Sequence, residues 1–151
     1  SARVECLQKV HAIGRAMRAY AEAHDGMYPQ TLGALLKEGF ITDPRAFLCP
    51  GTQGGIPTGF PKDLRNADIG ALDKIEEFGG YVLVRGLRFE GRPDVIVLFD
   101  KPGNHPENDR IYAAATRVCL FDDGSDKLLL ETEFEERMRA QEAEVRNAGG
   151  K

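Results

Sequence analysis

The hydrophobic positions at the start of the chain recur with the period of an α-helix. Five of them, between residues 3 and 24, follow one another at spacings of four, three, four and three residues: Cys6, Val10, Ile13, Met17 and Tyr20. Such spacing places the side chains on one face of a helix with about 3.6 residues per turn. Gly26 and Pro29 follow and end the pattern. The chain therefore predicts a long amphipathic first helix over residues 1–24.

The middle of the chain has no regular hydrophobic period. Thr31 precedes a short Leu-rich segment that predicts a second helix, which Gly39 ends. Residues 42–80 are rich in proline and glycine and predict a variable loop region, with a helical pattern only in residues 67–78. A loop region of this length within a compact domain indicates function or disorder.

From residue 81 the pattern changes to that of β-strands. Apolar runs predict four strands within residues 81–131: YVLVRGLRF, DVIVLFD, ATRVCLF and KLLLET. Asp123–Gly124, between the last two runs, is a strong hairpin signal. Thr132 with Glu135 predicts a capping box that opens a mostly solvated helix over residues 132–147. The expected fold is a single α+β domain over residues 1–151, with the first helix packed on a three- or four-stranded antiparallel sheet.

Length, composition and charge narrow the class of protein. A chain of 151 residues fits one soluble domain. Its 20 basic and 24 acidic residues give a net charge of −4, which argues against a nucleic-acid partner. No apolar run approaches the roughly 18 residues that a membrane span requires. The three cysteines match no zinc motif.

The sequence offers few candidates for catalysis. It contains no phosphate-binding loop, no GxSxG and no HExxH. His105, in a polar loop beside Asp100, is the histidine best placed for acid–base work. A small hydrolase or metal-dependent enzyme using His105, Asp100 and Asp122 is therefore the alternative hypothesis. A third is a ligand-binding module with an apolar pocket under the Gly- and Pro-rich middle of the chain.

Metal and disulfide sites can also be assigned to particular residues. Asp122, Asp123 and Asp126 would offer oxygen ligands to calcium, but an Asp-Gly hairpin needs no metal, and we expect neither a metal nor a cofactor. Cys6 and Cys49 are a candidate disulfide, because about ten extended residues after the second helix can return the chain beside the first. Cys119 lies within a predicted strand, where a thiol is buried and inert.

Two blocks of the sequence follow, in the same order, the pattern of a known family. The first runs from Cys6 through Ile13, Gly14, Ala16 and Tyr20 to Asp25, Gly26, Tyr28 and Pro29, and then to Cys49–Pro50. The second contains FDKPGNH and RVCLFDDGS. These blocks resemble bacterial prepilin-like proteins, namely type II secretion pseudopilins and type IV pilins. The chain departs from the family pattern at Lys9–Val10, which replace Asn-Leu, and at Asp122 and Ser125, which stand where Ala and His are usual.

The resemblance implies a structural subunit rather than an enzyme. The subunit would belong to a type II secretion pseudopilus or a type IV pilus-like filament, and the sequence does not choose between them. A preceding segment would anchor it in the bacterial inner membrane, with this domain in the periplasm, where a Cys6–Cys49 disulfide is permitted. Other subunits and the secretion or pilus machinery would be its partners, contacted through loops 50–80 and 100–113. Filament packing would use Leu7, Val10, Ile13, Met17 and Tyr20.

Overall fold

The computed structural model describes residues 2–50, 57–61, 70, 72, 74–102 and 115–149. The helical elements within them are α1 (Ala2–Ala23), α2 (Gly33–Lys37), a 3₁₀ turn (Pro44–Phe47), α3 (Ile75–Phe78) and α4 (Glu131–Gly149). The strands are β1 (Tyr81–Leu83), β2 (Ile96–Asp100), β3 (Thr116–Phe121) and β4 (Asp126–Leu130). The predicted α+β fold, with a long first helix, an antiparallel sheet and a C-terminal helix, is confirmed.

The sheet is an antiparallel meander in the order β1-β2-β3-β4. Phe99 of β2 lies opposite Val82 on one side and Cys119 on the other. The β3–β4 hairpin turns through Asp123–Gly124 as predicted, and Gly124 has a φ of 88°, where a residue without a Cβ is favoured. The sequence order of the strands is thus their order in space.

Helix α1 covers one face of the sheet. Its apolar stripe, including Val10, Ile13 and Met17, lies in the main core. Gly14 allows the helix to come close to β3, because a Cβ at this position would lie 2.8 Å from Leu120 Cδ1. The glycine that weakens the helix in isolation is therefore the position at which α1 contacts the sheet most closely.

Helix α4 covers the opposite face, so the domain has three layers. A second core cluster joins Ile96, Cys119 and Phe121 of the sheet to Phe134 of α4. Gln141, also buried, accepts a hydrogen bond from Ile96 N at 2.7 Å and donates one to Ile96 O at 2.8 Å. As the sequence predicted, the last helix is mostly solvated: among its described side chains, only Phe134 and Gln141 are buried against the sheet.

Several predicted boundaries need correction. Helix α4 begins at Glu131, before Thr132, and Glu133 Oε1 accepts a hydrogen bond from Leu130 N at 3.4 Å. The capping box predicted at Thr132 is therefore wrong: the glutamate that reaches back lies two residues earlier than predicted. Strand β1 ends at Leu83, well short of the predicted run, and the chain then turns at Gly86, where φ is 81°.

The other helix ends agree with the sequence signals. Gly26 N donates to Ala21 O at 2.7 Å and closes the C-terminus of α1. Thr31 Oγ1 accepts a hydrogen bond from Ala34 N at 3.2 Å, as expected of a residue that caps α2.

Candidate functional site

Helix α1 has two faces of different character. Val10, Ile13 and Met17, predicted to pack against neighbouring subunits, are instead buried against the sheet of their own chain. Leu7 and Tyr20 are half-buried and pack against the same core. While the domain is folded, a neighbouring subunit cannot reach the three buried side chains. The filament-packing prediction is corrected for these residues.

The outer face of α1 is exposed over most of its length. Val4 is 53% exposed, and Gln8, Ala12 and Arg15 are exposed along the same stripe. Their spacing of four, four and three residues places them on one side of the helix. Among the described elements, α1 packs against β3, β4, α2 and the 3₁₀ turn. Its apolar stripe lies in the main core, and on the exposed side His11 pairs with Asp126 of β4.

A buried cluster of sulfur and oxygen atoms lies between the start of α1 and the sheet. Cys49 Sγ donates to Cys6 Sγ at 3.3 Å, and Cys6 Sγ lies 3.3 Å from the Tyr81 hydroxyl. Both cysteines are buried thiols. The contact with Cys49, together with burial, raises the pKa of Cys6 far above its ordinary value. Burial is the main cause that raises the pKa of Tyr81.

Local backbone geometry fixes the position of Cys49. The 3₁₀ turn is capped by Asp43, whose carboxylate accepts from Arg45 N at 2.9 Å. Gly80 N then donates to Phe47 O at 2.8 Å, and a Cβ on Gly80 would lie 2.6 Å from Cys49 Cβ. Only glycine at position 80 allows this approach. The chain return predicted to bring Cys49 to Cys6 therefore occurs, and oxidation of the pair stays a prediction.

Asp122 is a buried carboxylate that joins three segments. It is 2% exposed and accepts hydrogen bonds from the Tyr28 hydroxyl at 2.5 Å, Glu90 N at 3.1 Å and Arg92 N at 2.9 Å. Burial, and then the contact with Asp122, raise the pKa of Tyr28. Asp122 thus ties the end of β3 to the segment after α1 and to residues 90–92.

The three aspartates considered for calcium do not share a site. Asp123 accepts hydrogen bonds from Ser125 N at 2.9 Å and from Ser125 Oγ at 2.5 Å, and these bonds lower the pKa of Asp123. Asp126 Oδ2 lies 3.1 Å from His11 Nδ1 of α1. Within the described residues, no group of three or more His, Cys, Asp or Glu side chains is arranged to hold a metal.

The enzyme hypothesis placed Asp100 and Asp122 in one site with His105. Asp100 ends β2, whereas Asp122 N donates to Val95 O beyond the other end of the same strand. Five residues of extended chain separate Val95 from Asp100, about 16 Å. The two carboxylates do not converge, and His105 lies outside the described residues.

Asp100 and Arg117 form a second buried polar group. The sequence pointed to Asp100 but not to Arg117. Asp100 Oδ1 accepts from Val118 N at 3.0 Å. Arg117 donates to Glu131 through two nitrogens, at 2.7 and 3.0 Å, and its guanidinium lies 4.4 Å from the Phe134 ring. The sequence did contain a signal for this pair: Arg117 lies within an otherwise apolar strand, and a buried charge requires a partner.

The remaining histidines have structural partners. His24 Nε2 lies 2.7 Å from Glu38 Oε1, and its ring stacks on Tyr20 with centroids 3.9 Å apart. His11 is paired with Asp126. Among the residues described, neither histidine lies beside a nucleophilic side chain for which it could serve as the base.

Cavities lined by the described residues lie on either side of Asp122. One of about 320 Å³, between α1 and the sheet, is lined mainly by apolar side chains such as Met17 and Leu120. Another of about 350 Å³ lies beside Leu87 and Gln141. Most of the loop region under which the ligand-binding hypothesis placed its pocket is outside the described residues.

Comparisons of the chain with protein-family models, curated proteins and solved structures give no match. Across the residues that the structure describes, neither long helix contains a stretch apolar enough to cross a membrane.

Proposed function

We propose that this chain is the globular domain of a non-enzymatic, pilin-like subunit of a type II secretion pseudopilus or a type IV pilus-like filament. The observation that carries the proposal is the one-sided packing of α1. This helix has 22 residues and packs on the sheet through one face, while its other face is exposed from Val4 to Arg15.

A helix exposed along one side suits repeated contact between identical subunits. Such contacts join one surface of a subunit to a different surface of the next, and they build an open helical filament when the rotation does not close. Residues of the first matched sequence block also occupy structural positions, since Ile13, Ala16 and Tyr28 are buried in the core. This agreement supports the resemblance on which the proposal rests.

The proposal includes a location and partners. A membrane-spanning segment would precede α1 and anchor the subunit in the bacterial inner membrane, with this domain in the periplasm. Its partners would be other pilin or pseudopilin subunits and the secretion or pilus machinery. Filament growth would draw its energy from an ATPase elsewhere, so the domain itself performs no chemistry.

The native gene provides the first test. We expect the codons ahead of Arg3 to specify a prepilin peptidase site, a glutamate shortly after it and about 20 apolar residues, the length of a membrane span. A start codon at Arg3, or a polar upstream segment, would contradict the proposal because the subunit would lack its anchor.

The exposed face of α1 supplies a second test in the source organism. Ala12→Arg places a long cation on this face. When membranes are treated with a chemical cross-linker, we expect the variant to lose the ladder of cross-linked dimers, trimers and larger oligomers of the subunit. Its cost in the free energy of unfolding should stay within about 0.5 kcal/mol, because Ala12 is exposed.

Ala140→Arg is the matched control, since Ala140 is exposed on α4. Ladders that persist in the Ala12→Arg variant would contradict packing through this face. Equal loss in both variants would show that a new surface arginine, rather than the α1 contact, blocks assembly.

A further inference from the structure

We propose that Cys6 and Cys49 close to a disulfide while the chain folds, and that this bond fastens the start of α1 to the segment after the 3₁₀ turn. The pairing and its chemistry rest on the structure alone. The oxidising compartment in which the bond forms rests on the proposed function.

The geometry requires little movement to make the bond. The two sulfurs are 3.3 Å apart, and a disulfide bond is about 2.05 Å long. Both residues are buried, so neighbouring side chains restrict their rotation. Cys6 is held by the core stripe of α1, and Cys49 is held by its close backbone contact with Gly80. The fold itself therefore selects this pair.

The sheet separates the third cysteine from this pair. Cys119 lies in the core cluster on the α4 side, with Ile96 and Phe134. Cys6 and Cys49 lie in the main core, on the α1 side. Cys119 cannot replace either partner without breaking the sheet, and it serves as an internal control.

The reaction is a thiol–disulfide exchange with an external disulfide, either a small molecule or a protein. The thiolate of one cysteine attacks the external disulfide, forms a mixed disulfide and releases one thiolate. The second cysteine thiolate then attacks the protein sulfur of the mixed disulfide and releases the other. The two cysteine sulfurs lose two electrons and two protons, the oxidant gains the electrons, and its two thiolates take up protons from solvent.

Burial decides when this exchange takes place. The attacking species is a thiolate, and the pKa of Cys6 in the folded domain is raised so far that its thiolate is scarce at neutral pH. An external disulfide also cannot reach either sulfur in the folded protein. Exchange therefore belongs to the incompletely folded chain, and both the reduced pair and the finished bond are protected once folding is complete.

The bond would strengthen the attachment of the N-terminal end of α1 to the rest of the domain. Near its start the helix is also held by Arg3, whose Nε donates to Thr116 Oγ1 at 2.8 Å. Under the proposed function this end continues toward the membrane and transmits the pull of filament growth. A covalent link at Cys6 would pass that pull to the domain without peeling the helix from the sheet.

Refolding with a thiol count tests the proposal directly. The 151-residue chain is unfolded and reduced, then refolded with a mixture of oxidised and reduced glutathione, and its thiols are counted with Ellman's reagent in denaturant. We expect one thiol per chain, and a non-reducing peptide map that joins the Cys6 and Cys49 peptides. Three remaining thiols, or a linkage that contains Cys119, would overturn the proposal.

Thermal unfolding gives an independent measurement. The bond closes a loop of about 43 residues, and chain-entropy arguments predict that reduction lowers Tm by about 10 °C in a protein of this size. We expect the same loss in Cys119→Ala and no loss in the Cys6→Ala/Cys49→Ala double variant. Equal Tm values for oxidised and reduced wild-type protein would contradict a fastening role.

These results are separate from those on filament assembly. Failure of the thiol count refutes the disulfide and leaves the α1 contact intact, whereas persistent ladders in Ala12→Arg refute the packing face and leave the disulfide intact.

Discussion

At the scale of single residues, the positions that join distant segments of the chain are charged side chains with buried partners. Asp122 lies beside a hairpin turn, and its sequence context favours turn chemistry or a metal ligand. In the structure its carboxylate receives hydrogen bonds from two backbone amides and one hydroxyl, all from segments distant in sequence. Sequence pattern cannot supply these partners, because they come from other parts of the chain.

Replacing Asp122 should destabilise the domain strongly. Asp122→Ala leaves Glu90 N and Arg92 N without their acceptor, and it leaves the Tyr28 hydroxyl only the backbone carbonyl of residue 122, at 3.3 Å. Each unpaired buried donor costs about 1–3 kcal/mol, and partial access of water reduces the sum. We expect the free energy of unfolding, measured by urea denaturation, to fall by about 3–4 kcal/mol.

Asp123→Ala is the matched control on the adjacent residue. Asp123 is exposed, and its hydrogen bonds to described residues are with Ser125, within its own turn. We expect a loss of about 1 kcal/mol or less. Equal effects at the two positions would show that the buried bonds of Asp122 do not join the segments energetically.

The two cysteines show what residue spacing alone can predict. The short path from the second helix back to the first limits where Cys49 can lie, so the sequence predicts its meeting with Cys6. The close approach of Gly80 to Cys49 depends on backbone contacts between distant segments, and the sequence does not signal it.

At the scale of elements, hydrophobic period predicts α1, which buries Val10, Ile13 and Met17 at helical spacing, and apolar runs predict the strands, of which β3 is buried throughout. Helix α4 is predicted in extent and in its mostly exposed surface, but not in the polar contact that docks it. Its buried side combines Phe134 with a polar residue, Gln141, which a hydrophobic pattern does not count as core. The same element starts at Glu131, where Glu133 rather than Glu135 reaches back to the helix start.

Gln141 should therefore be essential for docking α4. Its amide satisfies both Ile96 N and Ile96 O, as a neighbouring strand would. Gln141→Ala leaves both groups buried without a partner, and we expect the free energy of unfolding to fall by about 2–4 kcal/mol. Amide hydrogen exchange should become faster at Ile96 and along α4 before it does so in α1.

Gln8→Ala provides the comparison, since Gln8 is exposed on α1. We expect its effect to stay within about 0.5 kcal/mol. If Gln141→Ala were equally mild, then Phe134 and the Arg117–Glu131 pair would suffice to dock α4.

At the scale of the whole molecule, the three layers leave the outer faces of both long helices exposed, and that of α1 includes the apolar residues Val4 and Ala12. The sequence predicts the layer of α1 on the sheet, because both elements carry an apolar face. It does not predict that α4 closes the other face, and it assigned the inner stripe of α1 to neighbouring subunits. Burial corrects that assignment, since the same apolar period serves a domain core and a filament contact equally well.

The layers also bury several weak acids in their neutral form. Burial raises the pKa of Cys119 from 9.0 to about 12. The pKa values of Cys6, Tyr28 and Tyr81 are raised as well, chiefly by the Cys49 contact for Cys6 and by burial for the tyrosines. In the unfolded chain these groups lose their protons near ordinary values, so unfolding at high pH releases protons.

The sign of the pH dependence follows from these shifts. Below about pH 8 the four groups are largely protonated in both states, and their contribution to stability is present. As pH rises, the unfolded state ionises first and becomes favoured. We expect the free energy of unfolding of the reduced protein to be flat with respect to these groups up to about pH 8 and to fall above pH 9, by up to about 1.4 kcal/mol per pH unit for each ionising group.

Cys119→Ala isolates one of these contributions. Loss of the buried sulfur lowers stability at every pH, but the slope of the free energy of unfolding against pH reports only on ionisation. Between pH 9 and 11 we expect the variant's urea-derived free energy to fall less steeply than that of the wild type, by about 1.4 kcal/mol per pH unit when the unfolded thiol is fully ionised. Parallel slopes would mean that the Cys119 thiol ionises as readily in the folded domain as in the unfolded chain. That outcome is incompatible with its burial between the sheet and α4, because burial penalises a thiolate there and the nearby Arg117 is already paired with Glu131.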